Sequence, residues 1–351
     1  MKINIYLSFF RGIAGGYKVI YQYSNYLVKM GHDVTIYYDL KQGINKRHIP
    51  KKIVLILRKI LLLKYPQYYK LNKKVKQIGI NTINNNNVED ADISIFTSPL
   101  TAHSHNKLDS SKGKQVYFIQ GYENWDNSDE YVQETYKYGM KNIVISQWLK
   151  DIVDKYSESE SIIVKNGIDT DIFKIINPIK NRNEYSIAMI YHTDELKGTK
   201  YGLEALCSLK RLYPQLEVNM FGNSKRPKEM PDWINYTHKA NEEKVVEILN
   251  NSSIFICTSL FEGFGLPGLE AMSCGCALVT TDCFGPLEYV NENNGIVCKK
   301  GSSDEIFNAT RRILEDKELK DKIVKNGLNT IENWNINISQ QKFEQEILLT
   351  K

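Results

Sequence analysis

Two carboxylates bracket a glycine-rich turn in FEGFGLPGLEAMSCG, residues 261 to 275: Glu262 stands before the turn and Glu270 after it. The run ahead of it, SIFICTS, is continuously apolar and β-branched, as a central strand buried on both faces must be. That strand ends at Ser259, so Glu262 falls in the loop at its carboxyl end, the edge where open α/β sheets bind ligands. Gly263 and Gly265 permit a sharp bend and a close approach of backbone to ligand. Pro267 suits the first turn of a helix and Gly275 its end, which predicts a short helix over about 267–274. Its free N–H groups and positive dipole end form a site for phosphate. A carboxylate repels phosphate, so Glu262 and Glu270 are expected to grip neutral hydroxyls on either side of it, a sugar on one and a ribose on the other.

The elements that must position this turn are legible as alternating strand-like runs and helical periods. INIYLSFF, RGIAGGYKVIYQYSNYLVKMGH and DVTIYY read as strand, glycine turn with amphipathic helix, and strand, a βαβ unit, and ADISIFT, QVYFIQ, NIVISQ and ESIIVKNGID continue that half. A second cycle starts at YSIAMIYH and runs through GTKYGLEALCSLKRLY, LEVNMFG, EEKVVEILNNS and SIFICTS to CALVTT and EIFNATRRILED. The polar, aperiodic stretch DTDIFKIINPIKNRNEY reads as the connection. The expectation is two α/β domains, 1–170 and 171–335, with a helical tail 336–351 able to pack back on the first, and a ligand in the cleft between them.

At 351 residues the chain exceeds one ordinary core. No apolar stretch has the length of a bilayer span, and MKINIYLSFF reads as a first strand rather than a signal peptide. The six cysteines lie in the second half without a C-x-x-C pair and read as reduced, mostly buried thiols of a cytosolic protein. His103 and His105 lack ligand neighbours, and the DTD at 169–171 falls in the connection, so no metal site is expected. The net charge of +5 is uneven: from Lys41 to Val88 there are twelve Lys and Arg and no acid. The block is too rich in Ile and Leu for a nucleic-acid arm. Two readings stay open for it: a surface over 46–76 that lies on anionic lipid, or a core-facing helix with a solvated basic side.

EGFGLPGLE, followed by AMSCGCALVTTDCFGPLEYV, resembles the signature of family 4 retaining glycosyltransferases of the GT-B fold. GIAGGYKVIYQYSNYLVKMGHDVTIYY resembles that family's first glycine loop and helix, VKNGIDTDIF its NGVD segment, and LKGTKYGLEAL its KG segment. The resemblance covers most of the chain, with Lys41–Asn87 the least characteristic part. It implies an α/β GT-B fold, two Rossmann-like doubly wound domains facing each other across a cleft. It implies a retaining transfer from a nucleotide sugar, with UDP, GDP and dTDP sugars undecided, to a hydroxyl. The basic, apolar block in the first, acceptor-side domain suggests a glycan or lipid-linked oligosaccharide as acceptor, which points to bacterial polysaccharide, capsule or lipopolysaccharide assembly, in the cytoplasm and peripherally at the inner face of the membrane.

Residue by residue, the resemblance implies that Glu262 holds donor-sugar hydroxyls and Glu270 the ribose, while the amides of Gly265 and Leu266 face sugar and phosphate. Lys197 would neutralise the departing diphosphate, so Glu262 and Lys197 carry catalysis with no metal or other cofactor. Gly15 and Gly16 would let the first domain's loop close on the same diphosphate. Two positions depart from the pattern. His192 stands where the family has an arginine, which leaves more of the work to Lys197. The family's histidine after the strand QVYFIQ is replaced by FIQGYENWD, where Gln120, Tyr122 and Glu123 are the candidates for meeting donor sugar or acceptor. Trp125 in that segment reads as an acceptor-stacking platform or as core. A nicotinamide oxidoreductase would need G-x-G-x-x-G after the first strand, a spacing that Gly12, Gly15 and Gly16 miss. A sugar-nucleotide epimerase of the same shape and a non-catalytic partner subunit are the alternative readings.

Overall fold

The computed structural model describes residues 1–9, 15–41, 51–62, 69–124 and 127–349. The chain divides into two compact units, Met1–Lys165 with Gln340–Lys351, and Asn166–Ser339.

The first unit runs β1 (Lys2–Ser8), α1 (Gly15–Lys29), β2 (Asp33–Asp39), α2 (Lys51–Leu62), β3 (Lys76–Ile80), β4 (Ile93–Phe96), α3 (Pro99–Ala102), β5 (Lys114–Ile119), α4 (Asp129–Thr135), β6 (Lys141–Val144), α5 (Gln147–Val153) and β7 (Ile162–Ile163). Its strands form one parallel sheet in the order β3-β2-β1-β4-β5-β6-β7. Helices on both faces bury the strands without alternation, so Ile3 to Leu7 of β1 are all buried. Helix α1 turns Val19, Ile20, Tyr23 and Leu27 inward. This core is rich in tyrosine: Tyr6, Tyr21, Tyr37, Tyr38, Tyr117 and Tyr136 are all fully buried. Some of their hydroxyls are matched inside the unit, as where Tyr6 Oη lies 2.9 Å from Ser94 Oγ and Tyr37 Oη accepts the Glu89 N–H at 3.0 Å.

The second unit runs β8 (Ser186–Ile190), α6 (Thr199–Leu212), β9 (Glu217–Gly222), β10 (Ile234–His238), α7 (Glu242–Asn250), β11 (Ile254–Cys257), α8 (Leu266–Ser273), β12 (Ala277–Thr281), β13 (Ile296–Cys298), α9 (Ser303–Glu315) and α10 (Lys317–Ile331). Its parallel sheet has the order β10-β9-β8-β11-β12-β13 around an aliphatic core of Ile187, Leu206, Val218, Ile254 and Val279 among others. In each sheet the order reverses once, between β1 and β4 and between β8 and β11, and the carboxyl ends at such a reversal form a ligand crevice.

Helix α11 (Ile336–Leu348) ends in the first unit. There Tyr26 Oη donates to Glu344 Oε2 at 2.8 Å, Lys141 Nζ donates to Glu346 Oε2 at 3.0 Å, and the Phe343 ring sits 4.7 Å from that of Tyr23.

The stretch 169–185, polar and aperiodic in sequence, is not a free connection. Phe173 is buried, and the buried Arg182 guanidinium donates to the carbonyls of Asn177 at 2.8 Å, Ser252 at 3.1 Å and Cys274 at 2.7 Å. Asn250 Oδ1 accepts the Ile176 N–H at 2.7 Å. An arginine that spends its donors on carbonyls seats a segment without any apolar period to announce it.

Candidate active site

Strands β8 and β11 lie side by side, with Ile187 opposite Ile254 and Met189 opposite Ile256, so the loops leaving their carboxyl ends share one edge. After β8 the chain passes His192 and enters a single 3-10 turn, Glu195–Lys197. Asp194 caps that turn by accepting the Leu196 N–H at 3.0 Å, and its own N–H donates to His192 Nδ1 at 2.9 Å. The Thr199 hydroxyl spans the same loop, accepting the His192 N–H at 3.1 Å and donating to the His192 carbonyl at 2.9 Å. Gly198 has φ +59°, and a Cβ there would lie 2.0 Å from the Thr258 carbonyl oxygen, so only glycine fits. Thr258 Oγ1 donates to the Lys197 carbonyl at 2.8 Å, and the Leu260 N–H reaches the Leu196 carbonyl at 2.7 Å. Lys197 therefore stands on a loop braced against the loop that carries Glu262.

The β11 loop is braced in turn. The Glu262 N–H donates to the Cys283 carbonyl at 3.0 Å, and the Glu262 carbonyl accepts the Gly285 N–H at 3.1 Å, a parallel bridge that frames Phe284. Phe284 has φ +71°, a strain of about 1–3 kcal/mol for a bulky residue, which that bridge holds in place. At the end of this frame Lys197 Nζ donates to Glu262 Oε1 at 2.9 Å, and Ser259 Oγ donates to the same oxygen at 2.7 Å. The other carboxylate oxygen, Oε2, has no hydrogen bond among the described residues and is an open acceptor.

Helix α8 opens directly after this frame. Gly265 is its N-cap at φ +83°, no side chain among the described residues caps this end, and Pro267 sits in the first turn. Tyr289 Oη donates to the Gly265 carbonyl at 2.6 Å and passes so close to α8 that a Cβ on Gly268 would lie 2.3 Å from it. Beyond the Cys274 cap, Gly275 takes φ +82° and stops the helix. Glu270 is half-buried one turn in from the amino end. The first-turn amides and the positive end of α8 thus open at the same sheet edge as the Lys197–Glu262 pair, three residues after Glu262.

The charges are set by this packing. Burial works against the Lys197 ammonium, but the facing Glu262 carboxylate more than offsets it and keeps the pKa above the ordinary lysine value. Burial, aided by the neighbouring Lys197, holds His192 below the ordinary imidazole range. Because Nδ1 accepts the Asp194 N–H, the proton of the neutral ring sits on Nε2. His192 accordingly supplies one neutral donor, not a guanidinium charge.

At the first unit's carboxyl edge, Gly15 and Gly16 open α1 rather than standing in the loop before it, and residues 10–14 lie outside the described residues. Gln120, just past β5, donates from Nε2 to the Gly16 carbonyl at 3.1 Å, while its Oε1 is buried without a partner among the described residues. Tyr122 Oη accepts from Gln133 Nε2 at 2.8 Å. Glu123 is half-buried, and burial pushes its carboxyl up to about 7. Trp125 falls outside the described residues. His103 is held in the fold at both ring nitrogens, Nε2 lying 2.9 Å from the Tyr131 carbonyl and Nδ1 2.7 Å from Tyr138 Oη.

Sequence reasoning singled out neither Ser259, Thr199 nor Tyr289. Ser259 had a signal, a hydroxyl at the end of a continuously apolar run and three positions before an acid. Tyr289 had none, because it acts across 24 residues through a backbone carbonyl.

Residues 171–330 match the family of glycosyl transferases group 1. Over 100 residues the chain is 33% identical to N,N'-diacetylbacillosaminyl-diphospho-undecaprenol alpha-1,3-N-acetylgalactosaminyltransferase of Campylobacter jejuni, covering 28% of this chain and 27% of that protein. Over 89 residues it is 28% identical to the capsular polysaccharide biosynthesis glycosyltransferase CapM of Staphylococcus aureus, covering 25% and 23%. The chain spans about a quarter of the length of both curated relatives. HepE of Anabaena, solved with UDP and glucose, superposes with a TM-score of 0.75 at 13% identity over 99% of both chains, a likeness of fold. The two parallel-sheet, Rossmann-like units are the GT-B fold.

Proposed function

We propose that the chain is a retaining glycosyltransferase that moves a sugar from a nucleotide donor to a hydroxyl acceptor, with the second unit's switch-point edge as the donor site. The observation that carries this is the Lys197–Glu262–Ser259 cluster set against the uncapped, glycine-opened end of α8. The pyrophosphate lies on the first-turn amides of α8, and Lys197 balances the negative charge that grows as it departs. Glu262 Oε2 accepts from a donor-sugar hydroxyl while Lys197 and Ser259 hold Oε1. Glu270 accepts from the ribose hydroxyls, and His192 Nε2 donates to the diphosphate. The bond from the anomeric carbon to the diphosphate oxygen breaks, the acceptor oxygen bonds to that carbon on the same face, and the acceptor proton passes to the diphosphate. Lys197 and α8 supply the charge stabilisation that a metal ion supplies elsewhere.

On the first unit, Gln120 Oε1 has no partner among the described residues and Glu123 carries a burial-raised carboxyl, so we assign them to a sugar, with Tyr122 beside them. The acceptor is a glycan or lipid-linked oligosaccharide of bacterial polysaccharide assembly. The support is the names of the relatives, one acting on a diphospho-undecaprenol-linked sugar and one in capsule synthesis.

Thermal-shift screening of UDP, GDP, dTDP and ADP sugars, followed by donor hydrolysis, tests the reading. One nucleotide sugar should raise the melting temperature and be slowly hydrolysed. Binding without hydrolysis would assign the chain as a partner subunit instead, and no shift from any donor would overturn the donor site itself.

A further inference from the structure

Helix α2 has one seated face and one bare face. Val54 and Leu62 are 3% and 9% exposed, and Leu62 packs over Gly79 of β3, where a Cβ would come within 3.0 Å of it. Arg58 turns inward too: its guanidinium donates to the Leu40 carbonyl at 2.6 Å and lies 5.4 Å from the centre of the Phe9 ring. Arg58 is thus a tether within the unit and not part of the basic surface that the sequence suggested. On the opposite side Ile53, Ile56, Leu57 and Ile60 are 49%, 59%, 49% and 57% exposed. Their spacing of three, four and seven residues makes one stripe along the helix. Single exposed aliphatics are ordinary, but four in a row on a helix face are not. The helix is therefore core-facing at Val54, Arg58 and Leu62 and solvated at Lys52 and Lys59, and in addition it turns an aliphatic stripe outward.

The chemistry around the stripe selects its occupant. Lys52 and Lys59, both exposed, are seven residues apart on one flank of it. They belong to a run from Lys41 to Val88 with twelve Lys and Arg and no acid. The stripe is purely aliphatic and lacks the aromatic anchors that protein partners favour. A helix of 12 residues is about 18 Å long, and among the described residues no helix is long and apolar enough to cross a membrane. We propose that α2 lies in the plane of an anionic lipid surface. Ile53, Ile56, Leu57 and Ile60 enter the acyl boundary, and Lys52 and Lys59 meet headgroup phosphates. This stands whether or not the transferase reading does.

Flotation of the purified full chain with vesicles tests it, using phosphatidylcholine alone and phosphatidylcholine mixed with phosphatidylglycerol. The parent should float with the mixed vesicles and not with the neutral ones. Lys52→Ser with Lys59→Ser should weaken partition roughly 10- to 30-fold, as expected near an anionic surface at about 1 kcal/mol per base. Ile56→Ser with Leu57→Ser and Ile60→Ser should abolish it with an unchanged melting temperature, because these side chains are already exposed. Ile56→Ser alone, a milder change, should weaken partition about tenfold. Absence of flotation, equal flotation with both vesicles, or full flotation of the serine variants would each overturn the proposal. Concentration-dependent dimerisation that the same variants remove, without flotation, would assign the stripe to a second copy of the chain.

Discussion

The two sheets end in carboxyl edges of opposite character. In the second unit the candidate groups already satisfy one another: Lys197 and Ser259 share Glu262 Oε1, and both supporting loops are cross-braced through Thr258, Leu260 and Gly285. In the first unit Gln120 Oε1 is buried without a partner among the described residues, and Glu123 has its carboxyl raised for want of solvent. An edge braced in advance can hold one rigid, charged ligand at little ordering cost, as a nucleoside diphosphate requires. A buried acceptor left unmatched costs stability until a donor reaches it. The cores repeat the contrast, tyrosine-rich with internal hydroxyl pairs in one unit and aliphatic in the other.

The sharpest break of this comparison is Glu262→Ala. Turnover should fall about 10²–10³-fold while nucleotide affinity changes little, as for loss of one preorganised transition-state contact. Steady-state rates beside calorimetric binding would show it, and equal small losses in both would place Glu262 outside the reaction. Next comes Gly268→Ala, which drives a methyl against Tyr289 Oη and should cost about 2–3 kcal/mol in thermal or denaturant unfolding. Adding Tyr289→Phe should restore part of that loss, and no recovery would mean that bracing at α8 does not run through Tyr289.

On the first unit's edge, Glu123→Gln reads the opposite behaviour. A carboxyl raised from 4.5 to about 7 favours folding while protonated, so its contribution is complete below pH 4.5 and is lost as pH rises through 7. The glutamine variant should match the parent at pH 4 and exceed it by about 1–2 kcal/mol at pH 8. A pH-independent difference would remove the burial argument. Glu270→Ala should weaken nucleotide binding about tenfold with turnover at saturation little changed. Smallest, His192→Arg should tighten diphosphate binding about threefold by replacing a neutral donor with a charge.

Much of the second unit's edge was legible because its requirements are local. A strand of β-branched residues, glycines at a sharp turn, Pro267 and Gly275 give α8 within a residue at each end, at Leu266–Ser273. The strands that lack a continuous apolar run were not legible. β10 buries only Ile234 and β13 spans three residues, so tertiary pairing rather than local pattern defines them. The seat of 169–185 depends on Arg182 reaching carbonyls up to 92 residues away. The bare face of α2 was half legible: composition showed its bases and aliphatics, but only packing could show that Arg58 points inward and the stripe outward.

A crystal structure with the nucleotide sugar selected by thermal shift bears most directly on the second unit's edge. The pyrophosphate should lie within hydrogen-bond reach of the Gly265 and Leu266 amides and of Lys197 Nζ, with Glu262 on the sugar and Glu270 on the ribose. Pyrophosphate density away from the amino end of α8, or both glutamates turned to bulk water with the ligand bound, would contradict it.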